Sequence, residues 1–292
     1  STKTKASFLD ATLIIFSRSC MGKTVPVGLF GLAIQTNFSI CAMKLISPMA
    51  TGNGAYILHK TLEQKIAGYE VIPYHPYRTL FPPSLYGLGR FKSADLIHTT
   101  PDYAGFHAKK KVPLLITFHN YVLDHFMRGY SSYLQSLHYQ TDLKWFIRQS
   151  VEKSTCITAV SQFTADLAKK DLGFEKQIQI IYNGVNEEKF VPVRRKLAKQ
   201  FKVLFSGNLT QRKGVQWLIP ILEKLEPQID VYYTQGLRPT KLPYNHPRLK
   251  SLGSVLPKDM PHVYQQFNLW ILGLTCARKK LQHCYFIMHL QQ

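Results

Sequence analysis

Short apolar runs alternate with amphipathic stretches along most of this chain, and the alternation is regular from Met43 onwards. In "MKLISPMATGNGAYILHKTLEQKIAGYEVIPY" a hydrophobic run meets a glycine-containing turn. Ala55, Leu58, Leu62 and Ile66 then recur at helical spacing. Gly68 supplies a stop, and Val71 and Ile72 open the next strand. The runs "ADLIHTT", "VPLLITFHN", "CITAV" and "IQIIYNGV" are further predicted strands. Ser161 is placed to cap the helix 162–172, which Gly173 closes. After a charged stretch, 186–200, that carries Pro192, the alternation resumes at "KVLFSGNL". It continues through a helix predicted over 215–225, the strand "DVYYT", "LKSLGSV" and "PKDMPHVYQQFNLWIL". Pro220 inside that helix predicts a kink.

Strands that alternate with helices predict an α/β fold with parallel sheets covered on both faces. In such sheets ligands bind beyond the carboxyl ends of the strands, where Gly52-Asn53-Gly54, His119 and Asn183-Gly184 fall. The pattern divides the chain into an N-terminal unit over 43–185, a linker over 186–200 and a second unit over 201–272, with 1–42 and 273–292 standing apart. In segment 1–42 the apolar pieces "ATLIIFSRSC" and "VPVGLFGLAI" are broken by Arg18, Lys23 and Pro26, and neither reaches the ~20 residues a membrane helix needs. Met43 reads as the natural start, with a translated leader or an extended reading frame before it.

Charge adds the next constraint. The chain has 37 Lys+Arg against 17 Asp+Glu, a formal charge of +20, which favours anionic partners: phosphorylated substrates, anionic lipid or nucleic acid. The basic residues are spread out and no nucleic-acid-binding motif accompanies them, so nucleic acid is not an expected partner. Cys20, Cys41, Cys156, Cys276 and Cys284 show no C-x-x-C spacing and no disulfide framework, which points to a reducing, cytoplasmic setting. Cys276 and Cys284 with His283 and His289 fit no standard zinc spacing.

The candidate chemistry lies in "FSGNLTQRKG", residues 205–214, where a predicted strand runs through Gly207 and Asn208 to Arg212 and Lys213 at a predicted helix start. A strand-to-helix turn offers backbone N–H groups and the positive helix end, and two adjacent cations add charge, which together suit a phosphate. Read alone, Arg212-Lys213 is also an ordinary solvated turn. Taken in order, "TGNGAYILHKTLEQKIAGYEV", "ITFHN", "ITAVSQFTADL", "IIYNGVNEEKF", "LFSGNLTQRKGVQWLI" and "GSVLPKDMPHVYQQFNLWIL" resemble the family 4 glycosyltransferases, over about Met43 to Leu272.

The resemblance implies the GT-B architecture: two Rossmann-like domains, the first for the acceptor and the second for a nucleotide-sugar. It also implies transfer with retention of anomeric configuration and no metal or other cofactor. Lys213 matches the family lysine that neutralises the leaving diphosphate, where a placed cation lowers the barrier. Arg212 stands as a second cation beside Gly207 and Asn208, the latter in place of the arginine that often follows the first glycine of the family motif. His119 matches the histidine at the acceptor side, facing the donor sugar or its acceptor; a histidine capping the strand end is the plain alternative. Gly52 and Gly54 match the flexible loop near the donor phosphates. Acceptor choice is expected in loops 74–90 and 121–139, whose aromatics Tyr121, Phe126, Tyr130, Tyr133 and Tyr139 read first as packing residues. The implied acceptor is a glycan or lipid-linked molecule, with peripheral contact with the inner face of the membrane as an option.

The resemblance breaks after Leu272. The family has two carboxylates there for the donor sugar and ribose, whereas here no Asp or Glu follows Asp259. A donor domain truncated by a frameshift or a misread end, with impaired activity, is the expectation. The competing class is a non-catalytic basic protein that binds anionic membrane or polyanions.

Overall fold

The computed structural model describes residues 43–88, 92–184, 188–191, 201–235 and 245–271; the expectations for 1–42, 273–292 and linker residues 186, 187 and 192–200 lie outside them. The chain divides after Gly184 into two compact units, each built on its own all-parallel sheet.

The first unit carries β1 (Leu45–Ala50), β2 (Tyr69–Tyr74), β3 (Leu96–Thr99), β4 (Leu114–Phe118), β5 (Cys156–Ala159) and β6 (Ile178–Ile180), in the spatial order β2-β1-β3-β4-β5-β6. The alternation of side chains along these strands fills two cores. On one face Ile46, Ile97, Ile116, Phe118 and Ile157 meet Ile147 and Val151 of helix Lys144–Lys153, with Ala165, Ala168 and Leu172 of helix Gln162–Leu172. On the other, Met49 and Val71 pack against Leu62 of helix Gly54–Lys65.

The helix boundaries follow local chemistry. Asn53 is extended and its side chain accepts from the Tyr56 N–H at 2.8 Å, capping helix Gly54–Lys65. Ser161 caps helix Gln162–Leu172 through the Thr164 N–H at 3.2 Å, and Gly173 ends it in the left-handed region at φ 68°. Gly68 turns helix Gly54–Lys65 into β2 at φ 77°, and a Cβ there would stand 2.2 Å from the Met43 carbonyl oxygen. Gly68→Ala is therefore expected to cost at least the ~1–2 kcal/mol of a left-handed non-glycine residue. A lower urea midpoint of the first unit would show it; an unchanged midpoint would place the Met43 carbonyl elsewhere.

The second unit carries β7 (Lys202–Phe205), β8 (Asp230–Tyr233), β9 (Leu249–Ser251) and β10 (Leu269–Ile271), ordered β10-β7-β8-β9. Val203, Phe205, Val231 and Leu249 pack on Val215, Leu218 and Leu222. The helix expected over 215–225 differs in its first turn. Residues Gln211–Lys213 and Val215–Trp217 form 3₁₀ turns about Gly214, at φ 84°, and the α-helix runs only Leu218–Lys224. This places Pro220 in the first turn of the helix, where its missing N–H would have no intrahelical acceptor, so no kink is needed. Arg248 closes the other end: its guanidinium donates to the carbonyls of Leu222, Leu225 (3.2 Å) and Glu226 (2.9 Å).

Phe118 and Phe205, the last residues of β4 and β7, are both fully buried. Each ring contributes about 1.5–3 kcal/mol of burial. They fix the strand ends from which His119 and Gly207 continue.

Candidate functional site

In the first unit, Gly52 and Gly54 bracket the capping Asn53 beyond the carboxyl end of β1, and His119 lies beyond that of β4, with β3 between the two strands. Gly52 adopts φ 76°, which explains the residue type without reference to a ligand. The helix that this loop opens carries His59 onto His119, with their Nε2 atoms 3.1 Å apart and the rings nearly edge to face. The glycine loop and His119 are thus coupled through one helix.

His59 stands in a buried polar file that the sequence reading missed. Its Nδ1 is hydrogen-bonded to the Ser47 hydroxyl at 2.7 Å and to the Tyr69 hydroxyl at 2.8 Å. Tyr69 reaches Nδ1 of His98 at 2.8 Å, and Nε2 of His98 reaches Thr117 Oγ1 at 2.7 Å. Thr117 Oγ1 lies 2.6 Å from Thr158 Oγ1, and Thr158 also donates to the Ile116 carbonyl at 3.4 Å. Ser47, His59, His98, Thr117 and Thr158 are all buried. The signal was present in outline. Thr117 and Thr158 are register partners, and Ser47, His98, Thr117 and Thr158 share one parity across β1, β3, β4 and β5 on a sheet buried on both faces. Finding it required the strand order.

Burial governs the electrostatics. It pushes His98 down to about 3, with His119 adding to the effect, and His119 down to about 4. His59 falls well below the ordinary range, through burial first and the two neighbouring rings second. All three imidazoles are neutral at pH 7, so the file acts through hydrogen bonds and not through charge.

In the second unit, Gly207, Asn208, Arg212 and Lys213 follow β7. Gly207 adopts φ 132°, and its N–H meets the Thr234 hydroxyl at 3.4 Å. The free turn amides expected from the sequence are not all available. The N–H groups of Lys213 and Gly214 bond to the carbonyls of Thr210 and Gln211 at 2.9 Å, inside the 3₁₀ turns. What the turn offers is cationic: Lys213 is half-buried and Arg212 exposed beside it. Burial, then Arg212, lowers the Lys213 ammonium below its ordinary value. A cation held out of water next to another cation gains from an anion.

The aromatics of loop 121–139 divide. Tyr121 is buried with its hydroxyl on the Asp171 carboxylate, which also receives Lys144 at 2.7 Å. Phe126 and Tyr130 pack on each other, with ring centroids 5.1 Å apart. Tyr133, 82% exposed, is not a packing residue. Among the described residues no helix is long and apolar enough to cross a membrane.

Residues 47–189 match the family model described as Glycosyltransferase Family 4. A search of curated proteins finds no match. Among solved structures, the chain is similar to sucrose-phosphate synthase from Thermosynechococcus elongatus (TM-score 0.62, 15% identity, 78% of this chain and 74% of that one). It is also similar to the Anabaena protein HepE in complex with UDP-glucose (TM-score 0.53, 18% identity, 78% and 73%). A glycosyltransferase from Rickettsia africae aligns at TM-score 0.51 and 14% identity, over 78% and 72%. These likenesses show a GT-B-like α/β fold, with the second sheet the smaller.

Proposed function

We propose that this glycosyltransferase, a member of glycosyltransferase family 4 through residues 47–189, transfers a sugar from a nucleotide-diphosphate-sugar to a glycan or lipid-linked acceptor with retention of configuration. The family match carries the reading, together with a second parallel sheet whose first strand leads to Lys213. In this reading Lys213 neutralises the diphosphate as it leaves, and Arg212 adds a second, more solvated charge. Stabilising charge that develops on a leaving oxygen is the largest effect a fixed cation can have on such a reaction. No metal is required for that step.

In this reading Gly207 and Asn208 contact the diphosphate beyond β7, and Gly52 and Gly54 give the loop beyond β1 its freedom to meet a ligand. In this reading His119 serves the sugar of the donor or the acceptor hydroxyl, a role supported by its position at a carboxyl sheet edge, where α/β sheets bind ligands. Peripheral membrane contact suits the positive charge and the exposed Tyr77, Leu80 and Phe81.

UDP, the nucleotide in the HepE complexes, is the natural probe. It is expected to raise the thermal midpoint of the second unit, with UMP protecting less because it lacks the second phosphate. UDP release from UDP-glucose on incubation with candidate acceptors then reports turnover. Equal protection by UDP, UMP and inorganic sulfate would mean a general anion effect and would remove the donor-site reading.

A further inference from the structure

The three histidines belong to one hydrogen-bonded file, and both ends of that file dictate where its protons sit. At one end, the hydroxyl oxygens of Ser47 and Tyr69 lie 2.7 and 2.8 Å from the same nitrogen, Nδ1 of His59. A lone pair there would accept from one hydroxyl and leave the other facing it, whereas an N–H is shared by both oxygens. Nδ1 of His59 therefore carries the proton, and Nε2 of this neutral ring is an acceptor. His119 Nε2, 3.1 Å away, must then donate, which leaves Nδ1 of His119 as the lone-pair nitrogen.

The other end gives the same order. Thr158 Oγ1 donates to the Ile116 carbonyl, so Thr117 donates to Thr158 and accepts from Nε2–H of His98. Nδ1 of His98 then accepts from the Tyr69 hydroxyl, whose oxygen is left to accept from His59. Among the described residues, no hydrogen bond engages Nδ1 of His119.

We propose that this buried file is the positioning device for His119: it holds the ring in the Nε2–H tautomer and so presents Nδ1 as an acceptor for a sugar hydroxyl. The last step rests on the proposed function, in which His119 faces the sugar; the proton order does not. Ser47, His59, Tyr69, His98, Thr117 and Thr158 are positioning residues that act through His119 without touching substrate.

The order can be reversed from a distance. Thr158→Val keeps the shape of the side chain and removes the hydroxyl that receives the Thr117 proton. Thr117 then donates to His98 Nε2, and the reversal passes through Tyr69 and His59 until His119 carries its proton on Nδ1. Tyr69→Phe cuts the file, so adding Thr158→Val to it should leave His119 unaffected.

Long-range ¹H–¹⁵N correlation spectra of histidine-labelled protein read the tautomer directly and need no sugar. The expected results are Nε2–H at His119 in the parent, a shift towards Nδ1–H in Thr158→Val, and identical His119 nitrogens in Tyr69→Phe with and without Thr158→Val. Tyr69→Phe removes a hydroxyl and Thr158→Val exchanges one for a methyl group, and near-ultraviolet circular dichroism checks that the core is retained. A parent with Nδ1–H at His119, or a Thr158→Val protein with unmoved His119 nitrogens, overturns the proposal and leaves the assigned reaction untouched. Turnover of UDP-sugar in Thr158→Val is expected to fall about threefold to tenfold, the worth of one hydrogen bond. Unchanged turnover with a shifted tautomer would uphold the proton order and remove His119 from the sugar site.

Discussion

Lys213→Ala is expected to raise the dissociation constant for UDP by about 10- to 100-fold, and thermal protection by UDP should nearly vanish. The ammonium is half-buried at the end of the turn that follows β7, with Arg212 next to it. A hydrogen bond to a charged group contributes about 1.5–3 kcal/mol, which is the fold-change stated. Removing one of two neighbouring cations also relieves their mutual repulsion. Arg212→Ala is expected to weaken UDP by a smaller factor, because an exposed charge is screened by water and salt. Lys213→Arg should recover part of the affinity, since the charge remains while the geometry changes. Calorimetric titration of the parent and three variants at two salt concentrations measures all of this. Equal UDP affinity in the parent and Lys213→Ala would place the diphosphate elsewhere.

Acid should unfold the first unit well before most carboxylates are protonated. His98, with a value of about 3, and His119 and His107, both about 4, are held neutral by burial. In the unfolded chain each takes up a proton near pH 6.5. Their contribution is therefore complete above about pH 6.5 and is lost as the pH falls towards 4, by up to about 1.4 kcal/mol per pH unit for each ring. Asp102 works the other way: burial raises it to about 6, so it binds its proton earlier in the fold and offsets roughly one ring. Two uncompensated rings leave roughly 3 kcal/mol per pH unit between pH 5.5 and 4.5. His59, lowered in the same direction, adds to the loss. Against a typical stability of about 5–15 kcal/mol, that slope is decisive. Urea midpoints of the first unit at pH 7.5, 6 and 5 test it, and a flat profile would mean that the imidazoles are reached by water.

Much of the fold was legible in the order of apolar runs. Every strand of the first sheet lies in a run identified from periodicity, and Asn53, Ser161, Gly68 and Gly173 mark boundaries through chemistry that acts over a few residues. The 3₁₀ turns at 211–217 were not legible. Helical spacing fits them equally well, and the left-handed Gly214 that breaks the run shows only in the backbone. The histidine file was hidden for a different reason. His59, Tyr69, His98 and Thr117 come from four elements, and each alone reads as an isolated polar residue in an apolar run. Only the arrangement β2-β1-β3-β4-β5 brings them within hydrogen-bonding distance. His119 was found through a resemblance, and its partners through geometry.

The tie between Tyr121, Asp171 and Lys144 bears on how readily this scaffold could be re-engineered. The chain leaves His119, is pinned two residues later to a carboxylate at the end of helix Gln162–Leu172, and only then enters the stretch with the exposed Tyr133. A graft that begins after this clamp could exchange the outer loop wholesale while the histidine keeps its seat.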